Sequence, residues 1–382
     1  MALDYIHSNF ENASPINWHI DADGVAQIEM IYDHERALSN RAAGHWHFQL
    51  HAKAGDKLTV VLRNFDNIWN GKSGSPISNR SNCYISIDGK KWSAIPAQKT
   101  PDNRLKIQLQ METDTLFLAR LDPYRISDLD RFLAEICDHP LVAVTAIGHS
   151  VEGRDLEMVR IGRPDAPHRV LLRARSHPWE PGGNWLLQGL IKSLLEADQQ
   201  TQRALDTYCV YAMPMAGKDG VARGHTRFNL LGMDLNRNWD RLADPHCAPE
   251  NHALETWLQD MIDDDKRPHL AIDLHNDNSG KLHISRPEAD CDQYLANMQR
   301  LEQLMLQHTW FREGSTGSQF RNPGTFGEGL LQRYGIDACI LELNCDWIAG
   351  LQKVPLGKDW ELLGAQMREV FQTYFENTSL PN

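Results

Sequence analysis

The stretch "VLLRARSHPWEPGGNWLLQGLIKSLL" (170–195) decides how this chain folds. It opens as a short apolar run, the pattern of a strand buried on both faces. It closes as an amphipathic helix, predicted over 184–196. A buried strand feeding a helix across so short a corner predicts an α/β layer fold, and in such folds functional side chains gather in the crevice beyond the strand ends. His177 and Glu180 occupy that corner.

Working outward, the same alternation continues from "DPYRISDLDRFLAEI" to the end of the chain. Strand-like runs "VTAIGHS", "LEMVRIG", "YCVYAMPM", "HLAIDLH" and "ACILELN" alternate with helices predicted over 250–262, 291–308 and 360–376. Residues 1 to about 120 read differently, as short strands such as 25–31, 45–52, 57–65, 83–87, 106–111 and 115–121, separated by Gly, Asn and Ser turns. The prediction is an N-terminal antiparallel β-sandwich over 1–121, followed by a three-layer α/β/α domain with a mixed sheet over 122–382.

The bulk properties narrow the function. The chain has 382 residues, 41% hydrophobic and 24% charged, with a formal net charge of -12, an ordinary soluble composition that argues against nucleic acid or an anionic membrane as partner. No run approaches the ~18 apolar residues of a membrane span, and the N-terminus lacks the pattern of a secretory signal, so a cytoplasmic protein is expected. Its seven cysteines are scattered and never spaced C-x-x-C, which argues against a cysteine zinc site and a disulfide framework.

The pattern H-x-x-E occurs three times. His149/Glu152 falls in a predicted hairpin turn, and His252/Glu255 on a helix face read as solvated. His177/Glu180 alone follows a buried strand. "HLAIDLHNDN" sets His275 at the end of another apolar strand, and "DACILELN" sets Glu342 inside a third, where a carboxylate is expensive without a partner. Two His and one Glu suffice for a catalytic zinc that keeps its fourth position for water.

These segments, with "IGHSVEGR" (147–154), "HPWEPGGNW" (177–185) and "DGVARGHTRFNLLGMDLNRNW" (219–239), resemble the zinc metallocarboxypeptidases, in particular the cytosolic carboxypeptidase-like subgroup. The first half resembles that subgroup's β-sandwich. The resemblance implies one Zn2+ per chain held by His177, Glu180 and His275, with Asp234 orienting the ring of His177. It implies Glu342 as general base, Arg227 as stabiliser of the oxyanion, and Asn236 and Arg237 as the grip on a substrate's terminal carboxylate. The substrate implied is a peptide or protein C-terminus. An amidohydrolase of N-acyl amino acids and a non-catalytic peptide-binding protein are the competing readings.

Two departures bear on specificity. The mobile tyrosine of digestive carboxypeptidases has no counterpart, since no Tyr occurs between Tyr294 and Tyr334. Phe326 and Glu328, in "PGTFGEGLLQRYG", stand where the glutamate-removing relatives carry a basic residue. A preference for a neutral or basic final residue is therefore expected. Trp179, Trp185, Trp239 and His283 are read as wall, core or strand residues.

Overall fold

The computed structural model describes residues 3–286, 291–317 and 319–376, and within them the chain gathers into two compact units. The first comprises the residues up to Ile126 together with two segments from far along the chain, His177–Pro181 and Asp219–Asp234. The second comprises Ser127–Ser176, Gly182–Lys218 and the chain from Leu235 onward.

The first unit is the expected sandwich. Two five-stranded sheets run in the orders Tyr5–His7, His47–His51, Thr115–Ala119, Asn82–Ser86, Ser93–Pro96 and Gln98–Lys99, Leu105–Gln110, Lys57–Arg63, Ala26–Met30, Ile16–Ile20. Pairing is antiparallel except between Ala26–Met30 and Lys57–Arg63, which run parallel. Period-2 alternation drives the packing: in Lys57–Arg63 every second residue is buried, so Leu58, Val60 and Leu62 meet Phe48, Leu50, Leu116 and Leu118 in one core. A small four-stranded sheet, from Asp33–His34 to Lys72–Gly74, completes the unit.

The second unit carries a seven-stranded mixed sheet in the order Val142–His149, Asp155–Ile161, Tyr208–Met213, His168–Ala174, Leu270–Asp277, Asp337–Asn344, Leu282–His283. Its middle four strands are parallel, and three antiparallel pairings flank them. The central strands are buried along nearly their whole length, as strands covered on both faces must be. Helices Gly182–Leu194, Gln199–Thr207, Asp292–His308 and Gly357–Glu376 pack together, while Pro249–Asp263 lies on Val142–His149 and Phe326–Tyr334 on the strands Leu270–Asp277 and Asp337–Asn344. Gly189 and Gly364 permit the close contact of two of these helices, because a Cβ would lie 2.0 Å from the Glu361 carbonyl oxygen at the first and 1.9 Å from that of Leu186 at the second.

Besides Ile126–Ile136, three short helices among the described residues had no sequence expectation: Gln199–Thr207, Lys218–Arg223 and Phe326–Tyr334. Each has nine residues or fewer, too short for hydrophobic periodicity to declare itself. The segment "DPYRISDLDRFLAEI", where the α/β alternation begins, contains the helix Ile126–Ile136.

Candidate metal centre

At the corner that follows the His168–Ala174 strand, Arg175 adopts a left-handed φ of 63°, a conformation costly for a residue with a Cβ. It turns the chain sharply out of the sheet. Gly182 then starts the helix under close constraint: its N–H donates to Asn276 Oδ1 at 2.8 Å, and a Cβ there would stand 2.7 Å from the Asn276 amide. The glycines of "HPWEPGGNW" are therefore set by close approach.

His177 Nδ1 lies 2.8 Å from Glu180 Oε1, and its Nε2 lies 3.1 Å from Asp234 Oδ1. All three side chains are buried. A metal held by Nδ1 and Glu180 would leave Nε2–H to donate to the Asp234 carboxylate. Arg227 in turn holds Asp234, its Nε and Nη2 lying 2.8 and 2.7 Å from Oδ2.

His275 repeats this logic on a strand. Its Nε2 is 2.7 Å from Asp273 Oδ2 and 3.2 Å from Asn236 Nδ2. The amide nitrogen has only protons to offer, so the shorter contact sets the tautomer: Nε2–H donates to Asp273, and Nδ1 is left as the metal-facing atom. Ligand atoms of His177, Glu180 and His275 all lie within 4.8 Å of one another. Two neutral imidazoles with one carboxylate, each ring fixed through its far nitrogen by a carboxylate, are the donor set a catalytic zinc takes.

Asp273 is the residue that sequence reasoning missed. Burial by itself would raise its pKa, but the Arg173 guanidinium, with His275, overcomes that and holds the carboxyl well below the ordinary range. The Arg173–Asp273 pair is completely buried and bidentate, Nε to Oδ1 at 2.9 Å and Nη2 to Oδ2 at 2.5 Å. Arg173 Nη1 also donates to the Leu235 carbonyl and Asn251 Oδ1, both at 3.2 Å, and the guanidinium lies over the rings of Trp239 and Phe326. Two signals were available. Asp273 sits two residues before His275, hence on the same face of its strand, and Arg173 interrupts an apolar run that tolerates a charge only with a partner.

Glu342 is half-buried on Asp337–Asn344 and is the register partner of His275 on the neighbouring strand. Asn236 is oriented by its Oδ1, which accepts from the Phe326 N–H at 3.0 Å, and Arg237 Nη1 donates to the Asn236 carbonyl at 2.8 Å.

His283 lies on the short strand Leu282–His283 and outside the His177, Glu180 and His275 group, although its ligand atom lies within 4.8 Å of those of Asp277 and Glu342. Several expectations need revision. Glu255 is not on a solvated face: it is buried, accepting from the Ala243 N–H and paired with Arg333. Phe326 is fully buried against Trp239 and Arg173. Glu328, also buried, accepts from Ser285 Oγ at 2.7 Å and Gln332 Nε2 at 3.1 Å. Both are engaged in internal packing, so the specificity argument built on them loses its footing. Trp239 is core, as expected, and donates to the Leu235 carbonyl at 2.9 Å.

Comparison with known proteins agrees with this geometry. Residues 130–284 match the zinc carboxypeptidase family model, and residues 6–121 match the model of the cytosolic carboxypeptidase N-terminal domain. The chain thus carries a region matching the zinc carboxypeptidase domain and, ahead of it, a region matching the N-terminal domain of cytosolic carboxypeptidases. It is 30% identical over 144 residues to cytosolic carboxypeptidase 2 of Homo sapiens and 31% identical over 144 residues to that of Danio rerio, in each case over 35% of this chain. Those matches span only 16% and 20% of the relatives' own length. Among solved structures, a metallo-carboxypeptidase from Burkholderia cenocepacia superimposes with a TM-score of 0.87 at 19% identity, covering 99% of this chain and 100% of the other. One from Pseudomonas aeruginosa gives 0.80 at 22% identity, covering 97% and 98%. At such identities these two show a shared fold.

Proposed function

We propose that the chain is a zinc-dependent exopeptidase that hydrolyses the C-terminal peptide bond of peptides or protein tails. The observation that carries this reading is the close group of buried ligand atoms on His177, Glu180 and His275, with the Nε2 of each ring beside a carboxylate, Asp234 or Asp273. His177, Glu180 and His275 would hold the zinc, which when bound lowers the pKa of its water to about 7 and polarises the scissile carbonyl.

The remaining roles belong to the chain's own groups. Glu342 would accept the water's proton and deliver it to the leaving amine, a function typically worth ~10²–10⁴-fold in rate. Arg227, set by Asp234, would meet charge that develops only as the carbonyl becomes tetrahedral. Arg237 would present its planar fork to the substrate's α-carboxylate, with the Asn236 amide beside it. That grip confines cleavage to chain ends.

One zinc per chain is part of the proposal. His177, Glu180 and His275 are all buried, whereas Asp277, His283 and Glu342 are half-exposed, and the Oδ1 of Asp277 already accepts from the Ser279 and Gly280 N–H groups at 2.8 and 2.7 Å. A cytoplasmic location fits the seven cysteines, all of which are free thiols. Among the described residues no helix is long and apolar enough to cross a membrane.

The test is amino-acid release from peptides that differ only at the C-terminus, with free and amidated ends compared. Release from free ends is expected, and Glu342→Gln should keep zinc while losing most of kcat. Efficient cleavage of amidated peptides removes the carboxypeptidase reading; normal turnover by Glu342→Gln removes the base assignment.

A further inference from the structure

The segment that carries His177 and Glu180 is held from outside by a stacked cation. Arg120, directly after the Thr115–Ala119 strand, is only 4% exposed. Its guanidinium lies 4.8 Å from the ring centre of Trp46, a fully buried residue of the sandwich core, and 4.7 Å from that of Trp179. Its own position is fixed twice, by its N–H donating to the Trp46 carbonyl at 2.8 Å and by Nη2 donating to the Pro76 carbonyl at 2.8 Å. The neighbouring Pro178 is fixed as well, since a Cβ on Gly220 would lie 2.2 Å from its Cγ. Trp179, between Pro178 and Glu180, donates its N–H to the Thr226 carbonyl at 3.4 Å.

We propose that Arg120, clasped between Trp46 and Trp179, is a positioning residue that sets the His177–Glu180 segment for zinc. The inference rests on the zinc reading given above. A guanidinium suits the place because it is flat, weakly hydrated and attracted to ring faces on both sides, whereas a lysine ammonium is compact and keeps its hydration. What the cation adds is a fixed seat for one ring on the very segment that bears two of the proposed ligands. The backbone N–H of Glu180 closes on the His177 carbonyl at 3.3 Å, so rotation at Trp179 is passed directly to both ligand side chains.

The experiment uses the full chain and measures zinc affinity by chelator competition beside the thermal midpoint of the zinc-free protein. Trp179→Leu should weaken zinc ~10–100-fold, the usual cost of losing a group that orients metal ligands. Trp179→Phe, which retains a ring face for Arg120, should stay within about threefold of wild type. Arg120→Lys should fall between them and serves as the deciding variant if Trp179→Leu proves insoluble. Zinc-free midpoints should be alike in all soluble variants. Wild-type zinc affinity in Trp179→Leu, or equal losses in the Leu and Phe variants, overturns the positioning role, as does a loss matched by an equal drop in zinc-free stability. Absence of zinc binding by the wild-type chain instead overturns the functional reading, a result distinct from these.

Discussion

Half of the candidate site is carried on loops and half on strands, and the two halves are held in different ways. His275, Asp273 and Glu342 are strand residues, and the ladder that pairs His275 with Glu342 places them before any side-chain contact forms. Behind them the Arg173–Asp273 pair is sealed from solvent. His177, Glu180, Arg227 and Asp234 lie instead on the two segments that fold with the sandwich. There the holding contacts come from residues 182 to 209 positions away: Thr226 Oγ1 accepts from the Gly44 N–H at 3.0 Å, Asp33 Oδ2 accepts from the Arg227 and Phe228 N–H groups at 2.7 and 2.8 Å, and Asn12 Nδ2 donates to the Val221 carbonyl at 3.1 Å. The comparison teaches that a sheet presets ligands by register, whereas a loop needs an external template to reach comparable order.

The most drastic way to break the contrast is to delete the template. Fragment 122–382 retains every proposed ligand but strips the loop-held half of Gly44, Asp33, Asn12 and Arg120. It should be insoluble or devoid of zinc and activity, as judged by expression, metal content and peptide release. A soluble fragment with full activity would show that the loops order themselves.

Within the strand-held half, Arg173→Met should cost about 3–5 kcal/mol of stability by leaving the Asp273 carboxylate buried and unpaired. In the loop-held half, Arg227→Met removes a guanidinium whose side chain is 18% exposed, and its main effect should fall on kcat rather than on unfolding. Denaturant titration with steady-state kinetics on both variants separates the two. Equal destabilisation would erase the distinction drawn here.

A subtler pair sharpens it. Asp234→Asn and Asp273→Asn each weaken the tie on one imidazole and should each lower zinc affinity ~10–100-fold. Only Asp273→Asn should also lower the stability of the zinc-free protein, because Arg173 then loses its counter-charge. Zinc-free midpoints that fall equally would place both carboxylates in the same structural role.

The strand-held half was the more legible in the sequence. Period-2 alternation and apolar runs located the Leu270–Asp277 and Asp337–Asn344 strands, and with them His275 and Glu342, because burial on both faces writes itself into composition. The H-x-x-E corner was legible for the same reason. What held the corner was not, since the contacts of Asp33, Thr226 and Arg120 join residues with no periodic relation. The short helix Phe326–Tyr334 was missed likewise, and so Phe326 and Glu328 were read as specificity residues although they are packed inside. Chemistry at strand ends leaves a trace in the sequence, while tertiary support for a loop leaves none.

The smallest effect worth measuring lies at Asp33, where one carboxylate oxygen receives two backbone N–H groups of the loop that bears Arg227. Asp33→Asn keeps an acceptor but removes its charge, and hydrogen bonds to a charged group contribute about 1.5–3 kcal/mol against about 0.5–1.5 for neutral ones. The two bonds together would lose about 2 kcal/mol, but burial raises the pKa of Asp33 and so disfavours its charge, which leaves an expected loss of about 1 kcal/mol, close to the limit of a denaturant titration. The loop's other ties, Thr226 to Gly44 and Val221 to Asn12, are untouched, so the loop should remain seated, with zinc affinity near wild type and only a modest fall in kcat through Arg227. A large loss of zinc would mean that Asp33 governs the whole loop rather than two of its N–H groups, and that the template acts at one point instead of many.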